Sequence, residues 1–138
     1  MKIEIKINEA ITSEAFIALL NASGLGERRP VNNIDCINGM LAHANLTVTA
    51  WAGDELVGVA RSVTDFHYCC YLSDIAVHRK FQKLGIGKKL IDATQEAIEE
   101  TCKVILLSAP AAVNYYPHIG FEHHPQAWYL KPRKSPSS

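Results

Sequence analysis

Apolar and polar residues alternate from the start of the chain, with Ile3, Ile5 and Ile7 on one side and Lys2, Glu4 and Lys6 on the other. That is the pattern of a half-buried strand. The period then lengthens. Thr12 or Ser13 can cap a helix whose apolar positions Phe16, Ile17, Leu19 and Leu20 recur at helical spacing, until Gly24 and Gly26 end it. A polar stretch containing Pro30 follows, then a second short helix from about Ile34 to Ala44 that buries Ile37, Met40 and Leu41. Leu46 to Trp51 and Leu56 to about Thr64 predict a hairpin about a Gly53-Asp54 turn, with Gly58 marking a weak point or a bulge. Tyr68 to Val77 is nearly continuous apolar sequence broken by Ser73 and Asp74, as expected of a central strand covered on both faces.

From Gly85 an amphipathic helix carries Gly87, Leu90, Ile91, Thr94, Ala97 and Ile98 along one stripe and ends in Glu96, Glu99 and Glu100. Val104 to Leu107 predicts a second buried strand, so strand, helix and strand form a parallel crossover unit. Pro110 suits the first turn of a short helix ending near Tyr116, because Pro117 disfavours helical geometry in the residue before it. Phe121 to about His124 and Ala127 to Leu130 predict a last strand pair, and the tail KPRKSPSS is expected to be disordered. Neither repeats nor a linker divide the sequence, so one domain over residues 1–131 is expected, followed by the tail at 132–138.

Composition narrows the class without naming it. The chain has 138 residues, 48% of them hydrophobic and 20% charged, which suits one soluble globular domain. Lys and Arg together number 14, as do Asp and Glu, a balance that argues against a general nucleic-acid binder. Cys36, Cys69, Cys70 and Cys102 lack metal-ligand spacing and are expected to be buried, reduced thiols. His118, His123 and His124 lack the helical spacing of a zinc site, so no metal is expected. No apolar run approaches the roughly 20 residues of a membrane span, and the N-terminus lacks the apolar core of a signal peptide. The cytoplasm is the expected compartment.

Charge is unevenly placed around the amphipathic helix. No acidic residue occurs between Ile75 and Ile91, whereas Arg79, Lys80, Lys83, Lys88 and Lys89 all do. Lysines at a helix N-terminus oppose the helix dipole unless an anion sits among them. A phosphorylated ligand fits that arrangement, since the first amides of a helix have no intrahelical partner. Two phosphate motifs fail here. A Walker A loop would need glycine at Gln82 and a hydroxyl at Lys89, and a dinucleotide fingerprint would need glycine at Leu90.

The six residues Gln82-Lys83-Leu84-Gly85-Ile86-Gly87 resemble the Q/R-x-x-G-x-G/A pyrophosphate loop of the GNAT superfamily of N-acetyltransferases. Downstream, Tyr116-Pro117-His118-Ile119-Gly120-Phe121 is similar to that family's Y-x-x-x-G-F segment, at a compatible distance. The resemblance covers about residues 1–131. It implies a mixed α/β (α+β) fold, with a mostly antiparallel sheet whose central parallel strand pair splays apart between flanking helices. It also implies acetyl-CoA as cosubstrate. Ile75, Ala76 and Val77 would hold the pantetheine arm and polarise the thioester carbonyl; Gln82, Lys83, Gly85, Ile86, Gly87 and Lys88 would hold the pyrophosphate. Ala109 stands where the family often has asparagine, seven residues before the tyrosine.

On the same resemblance a neutral amine attacks the thioester, and Tyr116, which also contacts the cofactor, protonates the departing coenzyme A thiolate. A phenol with a reference pKa near 10 keeps its proton at neutral pH. Asp74, two residues before the cofactor-contacting segment, is open to two readings: a base acting directly or through Ser73 and water, or a structural acceptor at a bulge. The segment between the first two helices helps wall the acceptor site in this family; here it contributes Arg28, Arg29, Asn32, Asn33 and Asp35, which are open to two readings, recognition of a carboxylate or phosphate on the acceptor or a solvated loop, and His118 is placed to border the site. The expected acceptor is a small-molecule amine. Peptide or protein amines, and a module that senses acyl-CoA without turnover, remain open alternatives. Related proteins are commonly homodimers.

Overall fold

The computed structural model of the protein describes residues 2–136. Alternating apolar positions give five strands, β1 (Ile3–Ile7), β2 (Leu46–Ala52), β3 (Glu55–Thr64), β4 (Cys69–Val77) and β5 (Lys103–Ile105), which form one sheet in that order. Each neighbouring pair among the first four is antiparallel, and β4 and β5 run parallel. Helices α1 (Ser13–Ser23) and α2 (Ile34–His43) bury Phe16, Leu19, Leu20 and Ile37 against one face. The other face receives Ile86, Leu90 and Ile91 from α3 (Ile86–Glu96). Both α1 and α2 are capped from the sequence. Thr12 Oγ1 accepts from the Ala15 amide at 3.0 Å, and Asn33 Oδ1 from that of Cys36 at 3.1 Å.

Two bulges decide which residues reach which layer. Ala50 opposes Gly58 while Trp51 opposes Leu56, so Val57 is an extra residue in β3. Arg61 opposes Asp74 while Ser62 opposes Leu72, so Ser73 is extra in β4. A bulge shifts the two-residue period of a strand by one. Cys70 and Leu72 therefore pack towards α3, whereas Ala76, also even-numbered, packs towards α1 and α2.

Gly58 sits where α3 crosses the sheet. A Cβ there would lie 3.1 Å from Ala50 Cβ, 3.1 Å from Leu90 Cδ1 and 3.2 Å from Ile86 Cγ2. Gly58→Ala is expected to cost about 1–3 kcal/mol through overpacking, lowering Tm by several degrees. Thermal unfolding checks this, and an unchanged Tm would mean that α3 can move away freely.

The turn between β3 and β4 is tied by Asp65, whose carboxylate accepts from the amides of Tyr68 (2.8 Å), Cys69 (3.0 Å) and His67 (3.0 Å). Those bonds lower its pKa to about 2. Their contribution to folding is present above the unfolded carboxyl's pKa and fades as pH falls towards about 2.

The C-terminal part departs from the sequence pattern. β5 is three residues long rather than Val104–Leu107, and it is not buried: Ile105 and Leu107 are 47% and 54% exposed. The chain leaves the sheet as β4 and β5 diverge. α3 ends at Glu96, short of Glu99 and Glu100, because the Glu99 amide is captured by the Phe66 carbonyl at 2.8 Å. Instead of one helix at 110–116, two 3-10 turns form, Pro110–Ala112 and Tyr116–Ile119, with Pro117 inside the second. Neither 121–124 nor 127–130 is a strand. Pro125 separates the runs, and Trp128 and Leu130 lie 97% and 95% exposed, so there is no shared apolar face to pair upon.

Residues 131–136 are neither helix nor strand, and the Pro136 carbonyl accepts from Asn33 Nδ2 at 2.8 Å; Ser137 and Ser138 of the expected tail lie outside the described residues. Among the described residues all four cysteines are free thiols. Cys69 is exposed and Cys36 only half-buried, contrary to the expectation that all four are buried, because Cys69 occupies the outward side of β4. No helix among the described residues is long and apolar enough to cross a membrane.

Candidate active site

The basic turn after β4 is a built helix entrance. Beyond Val77 a 3-10 turn over Arg79–Phe81 is capped by His78, whose Nδ1 accepts from the Lys80 amide at 3.1 Å. Gln82 Nε2 folds back to the Val77 carbonyl at 3.0 Å. Lys83 and Gly85 then take left-handed conformations, with φ of 67° and 79°. Gly85 caps α3 without any side-chain hydrogen bond, and α3 has no acidic residue in its first turn. The first bond into the helix is Lys89 N–H to Gly85 C=O at 3.1 Å. The amides of Ile86, Gly87 and Lys88 precede it, without a hydrogen-bond partner among the described residues, as donors for an anion. The Lys88 ammonium does not join them. It bonds to Asp92 Oδ2 at 2.8 Å, which raises its pKa, so Lys88 offers the site its amide rather than its charge.

The second part is the divergence of β4 from β5. Their ladder is limited to Cys69–Lys103, Cys70–Val104 and Tyr71–Ile105. From Leu72 to Val77 the β5 side of β4 has no strand partner among the described residues. A cavity of about 490 Å³ occupies this region, with Tyr71, Ser73, Ile75, Leu107, Ala109 and Tyr116 among its walls. Arg28, Arg29 and Tyr129 also line it, whereas Asn32, Asn33, Asp35 and His118 do not.

Tyr116 enters from the second 3-10 turn. Its ring meets Tyr115 and Phe121 edge-on, each with centroids 5.4 Å apart. Burial, and secondarily Tyr115, push the phenol's pKa above its usual 10. Tyr116 Oη makes no hydrogen bond among the described residues, so its proton is available to whatever fills the cavity. Tyr115 connects the two parts. A Cβ on Gly87 would lie 3.3 Å from Tyr115 Oη, so only glycine leaves that hydroxyl undisturbed beside the first turn of α3. Its identity as a second tyrosine was visible in the sequence; its direction was not.

Asp74 is placed differently from a base. It is 1% exposed, and it does not line the cavity. Arg29 Nε donates to Oδ1 and Arg61 Nε to Oδ2. The guanidinium groups are themselves anchored: Arg29 Nη2 to the Ser73 carbonyl at 2.8 Å and Nη1 to the Arg28 carbonyl at 2.8 Å, Arg61 Nη1 to the Met40 carbonyl at 3.2 Å and Nη2 to Ser73 Oγ at 3.1 Å. Of the two open roles for Asp74, these contacts fit the structural acceptor beside a bulge. Each carboxylate oxygen accepts from one guanidinium group, and burial keeps the rest of the carboxylate out of the cavity walls. Arg61, a charge within the apolar run of β3, was the signal for a buried acid opposite.

Among the predicted cofactor contacts, Ile75 and Tyr116 meet the cavity. Ala76 is buried towards α1, and Gly85, Ile86, Gly87 and Lys88 form the helix entrance beyond Val77. Among the described residues no cluster of three potential metal ligands occurs.

The family model for the acetyltransferase (GNAT) domain matches residues 22–129, and the chain belongs to that family. An uncharacterized N-acetyltransferase, ycf52, from Gracilaria tenuistipitata var. liui is 29% identical over 110 residues, 74% of this chain. The chain spans 60% of that relative's length. Among solved structures, a GNAT family acetyltransferase from Streptococcus pneumoniae TIGR4 superposes with a TM-score of 0.75 at 24% identity, covering 95% of this chain and 100% of that one. An aminoglycoside N-acetyltransferase, AAC(6')-Iy, determined in complex with CoA, gives a TM-score of 0.70 at 19% identity, with 96% of each chain covered. The mixed α/β architecture, with its five-stranded and mostly antiparallel sheet, is that of these neighbours.

Proposed function

We propose that the chain transfers an acetyl group from acetyl-CoA to a primary amine of a small molecule. The observation that carries this reading is a half-buried phenol, Tyr116, with a raised pKa and no hydrogen bond to its oxygen among the described residues, in the wall of a cavity at the splay of β4 and β5. The N-terminus of α3, which has no side-chain cap, follows β4 after the basic turn, and there the amides of Ile86, Gly87 and Lys88 fit a pyrophosphate. That acyl carrier supplies an acetyl group already activated as a thioester.

The residues of the chain do the rest. The loop fixes the anionic end, and the glycines let its backbone approach. The exposed edge of β4 at Ile75 to Val77 presents peptide groups to an extended arm, as an unpaired strand edge does. Tyr116 Oη holds the proton that a thiolate takes as it leaves, and the phenol regains one from water. The proton lost by the amine passes to water in the open cavity. A reading without turnover, as an acyl-CoA sensor, gives Tyr116 Oη no task.

Screening amines, amino acids, polyamines and peptides for release of free thiol from acetyl-CoA tests the proposal. Tight CoA binding with no thiol released above the hydrolysis background would leave the sensor in its place. Gly85→Val bears on the loop alone. A β-branched residue at φ 79° is strained, and losing one or two charge-assisted hydrogen bonds should raise the Kd for CoA about tenfold or more. An unchanged Kd by calorimetry would move the pyrophosphate elsewhere.

A further inference from the structure

The walls of the cavity carry no acidic side chain, while two arginines reach it. Arg29 belongs to the cluster with Asp74 and Arg61, which holds two positive charges against one negative. Arg28 is different. It is exposed at the cavity wall, and no ion pair or hydrogen bond engages its guanidinium among the described residues. Its backbone is nevertheless fixed, because its carbonyl accepts from Arg29 Nη1 at 2.8 Å and Arg29 is in turn locked onto Asp74 and the Ser73 carbonyl. The buried cluster thus holds an unpaired cation at the mouth of the site.

On the reading that this cavity is an acetyltransferase's acceptor site, we infer that its acceptor is an amine that also carries an anionic group, a carboxylate or phosphate, which Arg28 receives. A fork of guanidinium donors matches either anion. Polycationic amines are disfavoured: each added ammonium would enter a pocket of net positive charge with no carboxylate to meet it. Tyr71 and Tyr129, 42% and 67% exposed on the same walls, offer aromatic surface to the remainder of the acceptor.

The test compares pairs that differ in the anion: phenylalanine with phenylalaninamide, and phosphoethanolamine with ethanolamine, with spermidine as the polycation. Each is titrated by calorimetry into the CoA-bound protein and assayed for acetylation. At least one anionic member is expected to bind about tenfold more tightly than its neutral partner, spermidine more weakly than either. In Arg28→Gln the ratio within that pair should collapse towards one, and Arg28→Lys should restore part of it. The first pair answering alone would assign a carboxylate, the second a phosphate. Equal binding within both pairs, preference for spermidine, or a ratio unchanged in Arg28→Gln would overturn the inference. Binding reads the charge preference without turnover, so anion-selective binding without thiol release would instead remove the acetyltransferase reading and leave the anion site standing.

Discussion

Tyr116→Phe will leave CoA binding close to wild type and lower acetyl transfer roughly 10²- to 10⁴-fold, the usual range for loss of a positioned general acid. The substitution removes one oxygen that has no hydrogen bond among the described residues, and keeps the ring packed on Tyr115 and Phe121. The fold should therefore tolerate it, and the loss should fall on the chemical step. The pH dependence gives an independent reading. Burial raises the Tyr116 pKa, and the active form is the protonated one, so its contribution persists through neutral and mildly alkaline pH and is lost only above about 10. The wild-type rate should rise as the acceptor amine loses its proton and show no falling limb before that. Steady-state assays of both proteins between pH 6 and about pH 10 check this; full activity in Tyr116→Phe with every accepted amine would remove the acid assignment.

Asp74→Ala will destabilise the fold more than any cavity-facing substitution. It leaves Arg29 and Arg61 facing each other with no anion between them, and the Arg61 side chain is only 7% accessible. Removing one partner from such a cluster costs about 3–5 kcal/mol, worth roughly 10 °C in Tm for a chain of this size. The double variant Asp74→Leu with Arg61→Met should recover much of that, since apolar groups of similar volume often replace a buried ion pair without loss. Denaturant unfolding reads both. A loss below about 1 kcal/mol, combined with a large fall in activity at unchanged stability, would return Asp74 to the role of base.

How far the sequence carried follows from where the physics is local. The alternation Ile3-Ile5-Ile7, the cap at Thr12 and the stripe Leu90-Ile91-Thr94 each act within a turn or a strand, and each element formed over its pattern, with α3 alone ending before the stripe does. The glycine loop and Tyr116 stood out as candidates because their spacing is short and chemically specific, and the structure puts the one at the entrance of α3 and the other in the cavity wall. Asp74 was ambiguous because its meaning depends on Arg29 and Arg61, 45 and 13 residues away in sequence, and on the extra residue Ser73 that turns it to the α1 side. Apolar composition at 121–130 suggested strands, but pairing needs a partner edge, and β5 leaves the sheet before one is offered.

The short ladder of β5 also has a mechanical meaning. Seven paired positions join β3 to β4, but only three join β4 to β5, all at one end. Two walls that meet only at one end behave as a wedge: a small rotation about the vertex at Tyr71 and Ile105 becomes a large change of width at Ile75 and Tyr116. The amides of Lys103 to Ile105 should then exchange with solvent deuterium well before those of the β2–β3–β4 ladder, because opening them exposes little of the core. The bulkiest amine admitted would be set by the stiffness of three residue pairs.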